Sequence, residues 1–484
     1  MKKNKIQSIL HSKGYVSIES LIVAGLIIAT GAFLISKLVW KGKDVANSNN
    51  NNMINAGKTM DDNSFSNNIP TDSSSQIQEA KHIVKNPSEL SDFDYAIIDD
   101  NYINDELKKL DEKIKDLPAD LPADLPADLP FPPLEFINDM KYPIQKLKEF
   151  KGGIIITGYH GNKSDIEIPS YIDGKEVTVI APMAFAPKPP TQSELELKEK
   201  NNILELPKGK LKSVKLPNTL KYIGDDAFEF NQLTEITIPD SVTEVGKSAF
   251  ENNTLTSIKL NGNLRRIKPC AFLDNKLKSV IIPNSVVEIG SNAFQNNNLT
   301  SIKLDSNLKK IEEFAFSNNK LESVIIPDSV TEIGFSAFQN NNLTSIKWGR
   351  NLNKIEEFAF SNNKLESVII PDSVMEIGFS AFGDNNLKSI KLGSNLNKIK
   401  DFAFSNNKLE SVTIPDNIIE INECAFSNNN LKSIKLGNNL KRIGRNAFSG
   451  NKLESVIVPD SVTDLSDSAF TSNPLKKKII PKKL

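Results

Sequence analysis

Histidine and cysteine are nearly missing from this chain, with three of the first and two of the second among 484 residues. His160 is the only histidine in the C-terminal two-thirds. No His, Cys and carboxylate group has metal-ligand spacing. No Ser, Cys or Lys has a base partner evident along the sequence. These absences point away from an enzyme, and neither a cofactor nor a metal is expected. An excess of one charge is also lacking, with 59 basic against 60 acidic residues. That leaves no basic footprint for nucleic acid. Within the C-terminal two-thirds no stretch has the length of an independent helix.

The two cysteines, Cys270 and Cys424, each precede an Ala-Phe pair, 154 residues apart in a register that repeats every 22. Seven stacked coils separate them, which places the thiols about 30 Å apart. A disulfide needs Cα atoms within about 7 Å, so an intrachain bridge is excluded, and the cysteines carry no information on redox compartment.

What is present begins with the N-terminus. A basic leader, residues 1–14, carries Lys2, Lys3, Lys5 and Lys13 and no acid. Residues 15–40 follow as an apolar segment whose one acid is Glu19. A helix over 16–35 is about 30 Å long, enough to span a bilayer. The preceding lysines predict a cytoplasmic N-terminus with the remainder exported. Residues 41–115 are rich in Asn, Ser and Asp and read as a flexible polar linker, with a short charged helix over 105–115. The stretch 116–133 repeats Asp-Leu-Pro-Ala and ends in Pro132-Pro133. Proline at every fourth residue blocks helix and sheet and favours an extended, semi-rigid stalk. Residues 134–152 read as a further linker. No C-terminal cell-wall sorting pattern is seen, so the anchor is expected at the N-terminus.

From Gly153 the composition changes. Residues 153–210 read as an atypical first coil with an insertion of Pro-rich, charged sequence over 186–206. From Leu211 the register is strict. Phenylalanine falls every 22 residues from Phe228 to Phe470, each after an alanine. Asparagine falls three residues later, from Asn231 to Asn473, and leucine two further on. Residues 211–474 are therefore twelve 22-residue repeats, and the basic stretch 475–484 begins a thirteenth strand. There Lys478 stands where an inward apolar residue belongs, which blunts the open edge.

The expected fold is a repeat solenoid, mainly parallel β with short helical turns, preceded by an N-terminal transmembrane helix. In the coil 321–342, Leu321, Val324 and Ile326 line the inside of a strand, and Pro327 ends it. Val330 and Ile333 line a second extended run. Ala337 and Phe338 fill the far end of the core from a helical turn. The phenylalanine column, including Phe338, Phe360 and Phe382, is expected in the core. The asparagine column, including Asn319, Asn341 and Asn363, is expected to hold the turns of neighbouring coils, because an amide both donates and accepts.

A second period of 44 runs through the array. The outward strand position alternates Lys303, Ile325, Lys347, Ile369, Lys391, beside a serine column that includes Ser323. Read functionally, these residues form an extended ligand surface. Read structurally, the alternation keeps like charges off adjacent strands. The staggered Phe314, Phe335, Phe358, Phe379 and Phe402 form another column, with packing between coils and partner anchoring both open to it.

Two resemblances add to this reading. The pattern Leu-x-Ser-Val-x-Ile-Pro-x-Ser-Val-x-x-Ile-Gly-x-x-Ala-Phe-x-x-Asn resembles the BspA-like class of leucine-rich repeats over residues 153–480. That class implies a right-handed solenoid in a bacterial surface protein, several members being adhesins, and it supplies no catalytic residues. Gly14-Tyr15-Val16-Ser17-Ile18-Glu19 resembles the processing site of type IV prepilins. That resemblance implies cleavage after Gly14, a new N-terminus at Tyr15, and a Glu19 that pairs with a neighbouring pilin subunit. An acid in an apolar membrane segment is a functional candidate in its own right. The chain is thus expected to be a membrane-anchored protein of the bacterial cell surface. Its extracellular solenoid binds a protein or glycan, as in adhesion. The alternative is a minor pilin or pseudopilin carrying the solenoid as its head.

Overall fold

The computed structural model describes residues 90–115, 141–187 and 209–480. The leader, the apolar segment with Gly14, Tyr15 and Glu19, the proline stalk and the bulk of the insertion lie outside the described residues. Among the described residues no helix is long and apolar enough to cross a membrane.

Each coil is built from two short strands and a corner. In the coil from Leu321, strand Ser323–Ile325 buries Val324 and exposes its two neighbours, as the pleat requires. Pro327 lacks an N–H and ends that strand. The second strand, Glu332–Ile333, buries Ile333. Ala337 and Phe338 are then fully enclosed. Sequence periodicity predicts a helical turn here, and the structure differs. Ser336 and Asn340 have φ of 52° and 56°, and equivalent residues behave alike from coil to coil. Two left-handed residues four apart cannot belong to one right-handed helical turn. The corner is an irregular turn, and residues 209–480 contain no helix.

The short second strands stack in parallel register. They form one sheet that runs from Phe93–Ile97 (β1) through Ile154–Tyr159 (β2) and Lys175–Ile180 to Glu376–Ile377. The ladder then breaks and resumes at Lys398–Ile399, continuing to Asp464–Leu465. A crevice of about 230 Å³ opens at the break, lined by Met375, Glu376, Ile377, Asn397, Lys398 and Lys400. The three-residue strands behave differently. They pair two by two, Ser323–Ile325 with Ser345–Lys347 and Ser367–Ile369 with Ser389–Lys391. The 44-residue period is therefore structural. The first strand of a pair buries a valine, while the second carries an isoleucine that stays partly exposed. Glycine follows the same 44-residue spacing at Gly246, Gly290, Gly334 and Gly378. A side chain at Gly378 would place its Cβ 2.4 Å from the backbone N of Glu357.

The phenylalanine column is the spine of the core. Phe316, Phe338, Phe360 and Phe382 stack with centroids 5.3–5.6 Å apart and near-parallel rings, an offset arrangement that aromatic quadrupoles favour. Each inner asparagine ties three segments together. Asn341 Oδ1 accepts the Leu321 N–H at 3.0 Å. Its Nδ2 donates to the carbonyls of Phe316, Phe338 and Gln339. Cys270 and Cys424 are buried free thiols.

The front of the solenoid corrects two boundaries. The linker reading of 41–115 fails for 93–104, where a strand and the first turn of a helix stand, while the charged helix expected over 105–115 is present and begins earlier, at Asp100. The linker reading of 134–152 fails for 141–150. Strand β1 pairs antiparallel with β2. Helix α1 spans Asp100–Lys115, and Asp99 Oδ1 caps it by accepting the Tyr102 N–H at 2.8 Å, as an N-cap acid does. Residues 141–146 are helical and continue into a 3₁₀ turn, Leu147–Phe150. Phe93, Ile98, Ile103 and Leu147 join the core. The physical reason is that a solenoid leaves its first coil open, and a few well-placed apolar residues suffice to cover it. Averaged over a polar window they are invisible. The five extra residues between Pro169 and Val177 make a hairpin, Tyr171–Ile172 against Lys175–Ile180, turned at Asp173-Gly174 with both φ positive, as a type I′ turn requires.

Candidate ligand-binding face

The three-residue strands carry Lys303, Ser323, Ile325, Lys347, Ile369 and Lys391 to one face. Cα register pairs Ile325 with Lys347 and Ile369 with Lys391, and Ser323 with Ser345. The face therefore presents a serine rail beside a row that alternates isoleucine and lysine. Ile325 and Ile369 are 62% and 63% exposed, with Ile281 and Ile457 similar. That exposure matters because most of each β-branched side chain here lies in solvent rather than in the core of the coil. Scattered exposed apolar residues are ordinary, but a regular row of them is a patch.

The lysines differ from their neighbours. One position before the serine rail, Lys388 pairs with Glu366 at 2.9 Å, and Lys432 and Lys476 pair with Glu410 and Glu454 at 3.0 Å. Among the described residues no carboxylate makes an ion pair with Lys303, Lys347 or Lys391, and Asp372 feels Lys391 only from farther off. Their ammonium groups are free to meet a ligand, with isoleucine between them. Like charges in that row stand two coils, about 10 Å, apart, so the structural reading of the alternation also holds.

Two further columns escaped the sequence reading. The short strands carry a strict charge alternation, from Arg266 and Glu288 to Arg442 and Asp464. Arg266–Glu288 is 3.6 Å, Lys310–Glu332 3.3 Å, Lys398–Glu420 3.0 Å and Arg442–Asp464 3.2 Å. Reading the residue before each inward isoleucine at a period of 44 would have revealed it. The outer asparagines form an amide ladder. Asn318 donates to Asn296 at 2.8 Å, Asn340 to Asn318 at 2.6 Å and Asn362 to Asn340 at 2.7 Å. Asn296, Asn318, Asn340 and Asn362 all have positive φ, a conformation that asparagine tolerates. The alternation of surface charge and the amide ladder both serve the stacking of coils.

Among the described residues no group of three His, Cys, Asp or Glu side chains is arranged to hold a metal ion. The geometry is that of an extended, periodic surface. Comparison with known sequences places it. The model of the BspA-type leucine-rich-repeat region matches in six copies, over residues 206–319, 266–386 and 353–480. The chain belongs to the BspA-type leucine-rich-repeat family. No curated protein sequence matches it. Among solved structures it is similar to a leucine-rich-repeat protein from Bacteroides ovatus, at 22% identity over 69% of this chain and 85% of that one, with a TM-score of 0.49. A leucine-rich cell surface protein from Faecalibacterium prausnitzii shares 24% identity over 68% of this chain and 90% of that one, with a TM-score of 0.39. The pneumococcal vaccine antigen PcpA shares 20% over 68% and 94%, with a TM-score of 0.40.

Proposed function

We propose that this BspA-type chain is a non-enzymatic protein of the bacterial cell surface, held in the membrane by its N-terminal apolar segment, that binds a protein or glycan through the Ser-Lys-Ile face. The row of exposed isoleucines alternating with unpaired lysines carries the reading. Such a row offers desolvation energy and charge together. The lysine-flanked apolar segment at residues 15–40 supports the anchor and the exported orientation. The test is direct. Protease treatment of intact cells should remove the solenoid from the full-length protein. The Ile325→Ser/Ile369→Ser pair should weaken binding to the cells, matrix or glycan that the wild-type chain retains by about tenfold, since each residue loses an apolar contact. Unchanged binding would remove this face from the proposal, and a solenoid that survives protease on intact cells would remove the location.

A second reading rests on one specific pattern, Gly14-Tyr15 with Glu19. In it the chain is a minor pilin or pseudopilin whose partners include other pilin subunits. Intact-mass analysis separates the two. A chain beginning at a methylated Tyr15 supports the pilin reading, and one beginning at Met1 ends it.

A further inference from the structure

A different edge of the solenoid carries five phenylalanines that the core does not use. Phe314, Phe335, Phe358, Phe379 and Phe402 follow one another in a zigzag along five consecutive coils. Successive centroids are 5.1, 5.7, 5.1 and 5.2 Å apart. All five rings are partly exposed.

The fold does not require them. Phe314, Phe358 and Phe402 occupy the left-handed corner position, with φ of 54°, 56° and 58°. Other coils fill that position with Asp226, Ser248, Asn292, Ser336 and Ser380, also at positive φ. Small polar side chains tolerate this conformation, whereas a bulky one is an outlier there. The preceding position holds Phe335 and Phe379 in two coils but Lys247, Ser291 and Arg445 in others. Coil stacking is thus achieved elsewhere without aromatics. Strained, costly residues gathered on one exposed edge are a mark of selection for contact.

Charge decides what the contact takes. Acids alternate with phenylalanine along the same column, in the order Glu313, Phe335, Glu357, Phe379, Asp401. The neighbouring Glu312 and Glu356 have lysine partners, Lys310 at 3.1 Å and Lys354 at 2.5 Å. Among the described residues neither Glu313 nor Glu357 makes an ion pair, and Lys310 acts on Glu313 only from farther off. Lysines elsewhere in the protein lie over Tyr142, Tyr159 and Tyr222, yet no described cation lies over these five rings. Aromatic faces and unpaired carboxylates together select a cation with an apolar stem.

We propose that this strip is a second binding surface, distinct from the Ser-Lys-Ile face, that takes an extended cationic peptide whose lysine or arginine side chains recur every third residue. The spacing follows from the coil rise. Glu313 and Glu357 lie two coils, about 10 Å, apart. A polyproline II chain repeats its face every three residues, about 9 Å. A β-strand repeats every two, about 7 Å, and falls out of step.

The test uses the full-length chain and three labelled peptides, (Lys-Pro-Pro)5, (Glu-Pro-Pro)5, and one with the composition of the first but its lysines clustered at one end, read by fluorescence anisotropy. The first should bind at least about tenfold more tightly than the others, in a salt-sensitive manner. Phe335→Ser/Phe379→Ser, which installs the residue found at Ser291, should weaken it about tenfold. Glu313→Gln/Glu357→Gln keeps shape and packing and should weaken it about fivefold. Equal binding of the lysine and glutamate peptides overturns the proposal. So does equal binding by the wild-type and glutamine variants. Equal binding of the clustered peptide overturns the spacing.

Discussion

The front of the molecule and the regular array solve the same problem, enclosing apolar surface, by opposite means. From Leu277 onward the phenylalanine and inner asparagine columns make the same contacts in every coil. Each phenylalanine sits on the next and each inner asparagine makes the same set of hydrogen bonds. At the front the phenylalanine column ends at Phe185, stacked on Phe228 at 4.7 Å, and the contacts beyond it are made once each. Phe150 stacks on Tyr222 at 6.2 Å. Glu244, 5% exposed, lies between Lys146 at 3.2 Å and Lys268 at 2.9 Å. Lys268 in turn lies 4.5 Å from the centre of the Tyr142 ring. The difference shows where information sits. The array is specified by a column and tolerates variation in any one coil's surface. The front is specified by single residues with no second copy to reveal them.

The comparison predicts unequal responses to truncation. Phe360→Ala, in the middle of the array, should cost about 3–5 kcal/mol. It removes a ring packed between Phe338 and Phe382 and met edge-on by Trp348 at 5.4 Å. A long array does not unfold in a single step, so the measurement is native-state hydrogen exchange. Protection should fall in the coils on both sides of the substitution and remain in α1. If protection instead falls evenly from Phe93 to Ile479, the nearest-neighbour picture is wrong.

A change at the front should act at one end only. Glu244→Ala deletes the acid shared by Lys146 and Lys268 and leaves two cations close together with little solvent. The expected cost is about 2–3 kcal/mol, the worth of hydrogen bonds to a charged group. Exchange should accelerate in residues 141–150 and the first coils, while strands beyond Ser389 stay protected. An effect that reaches those strands would show that the array depends on its front cap.

The same contrast explains what could be read in the sequence. A residue type recurring every 22 positions is a statement about a buried column, and Phe338 and Asn341 were legible for that reason. The charge ladder from Arg266 to Asp464 was equally periodic but lay one residue from the inward column, where alternation reads as surface composition. The left-handed corners at Ser336 and Asn340 carry no warning in residue type beyond the asparagine itself, so the turn reads as helical. Strand β1, the first turn of helix α1 and the docking of both on the first coil were hidden for a different reason. Phe93, Ile98, Ile103 and Leu110 are few, and only an open solenoid end gives them something to cover. The outward alternation of Ile325 and Lys347 was legible too, because outward positions alternate with the inward Val324 and Ile346 along each strand, and the structure leaves both in solvent.

The smallest expected effect separates the two regions by pH. The position after the core phenylalanine holds the buried serines Ser317, Ser361, Ser405 and Ser427 in later coils, but Glu251 near the front, 8% exposed. Burial pushes the Glu251 carboxyl up to about 7, with the nearby Ser248 hydroxyl and the Lys247 charge opposing. Burial and the neighbouring Asp225 push Asp226 to about 7 as well. A carboxyl whose pKa is higher in the folded than in the unfolded chain binds more protons when folded. Its contribution to stability is complete below the ordinary carboxylate range and is lost as pH rises through about 7. The front coils should therefore exchange faster at pH 8 than at pH 5, after correction for intrinsic rates, while coils around Phe382 hold constant. Glu251→Gln should remove part of that dependence without touching the later coils, because a neutral amide has no proton to lose. Equal pH dependence along the whole array would mean that the front acids remain ionised in the folded chain, and that their position costs the solenoid nothing that serine avoids.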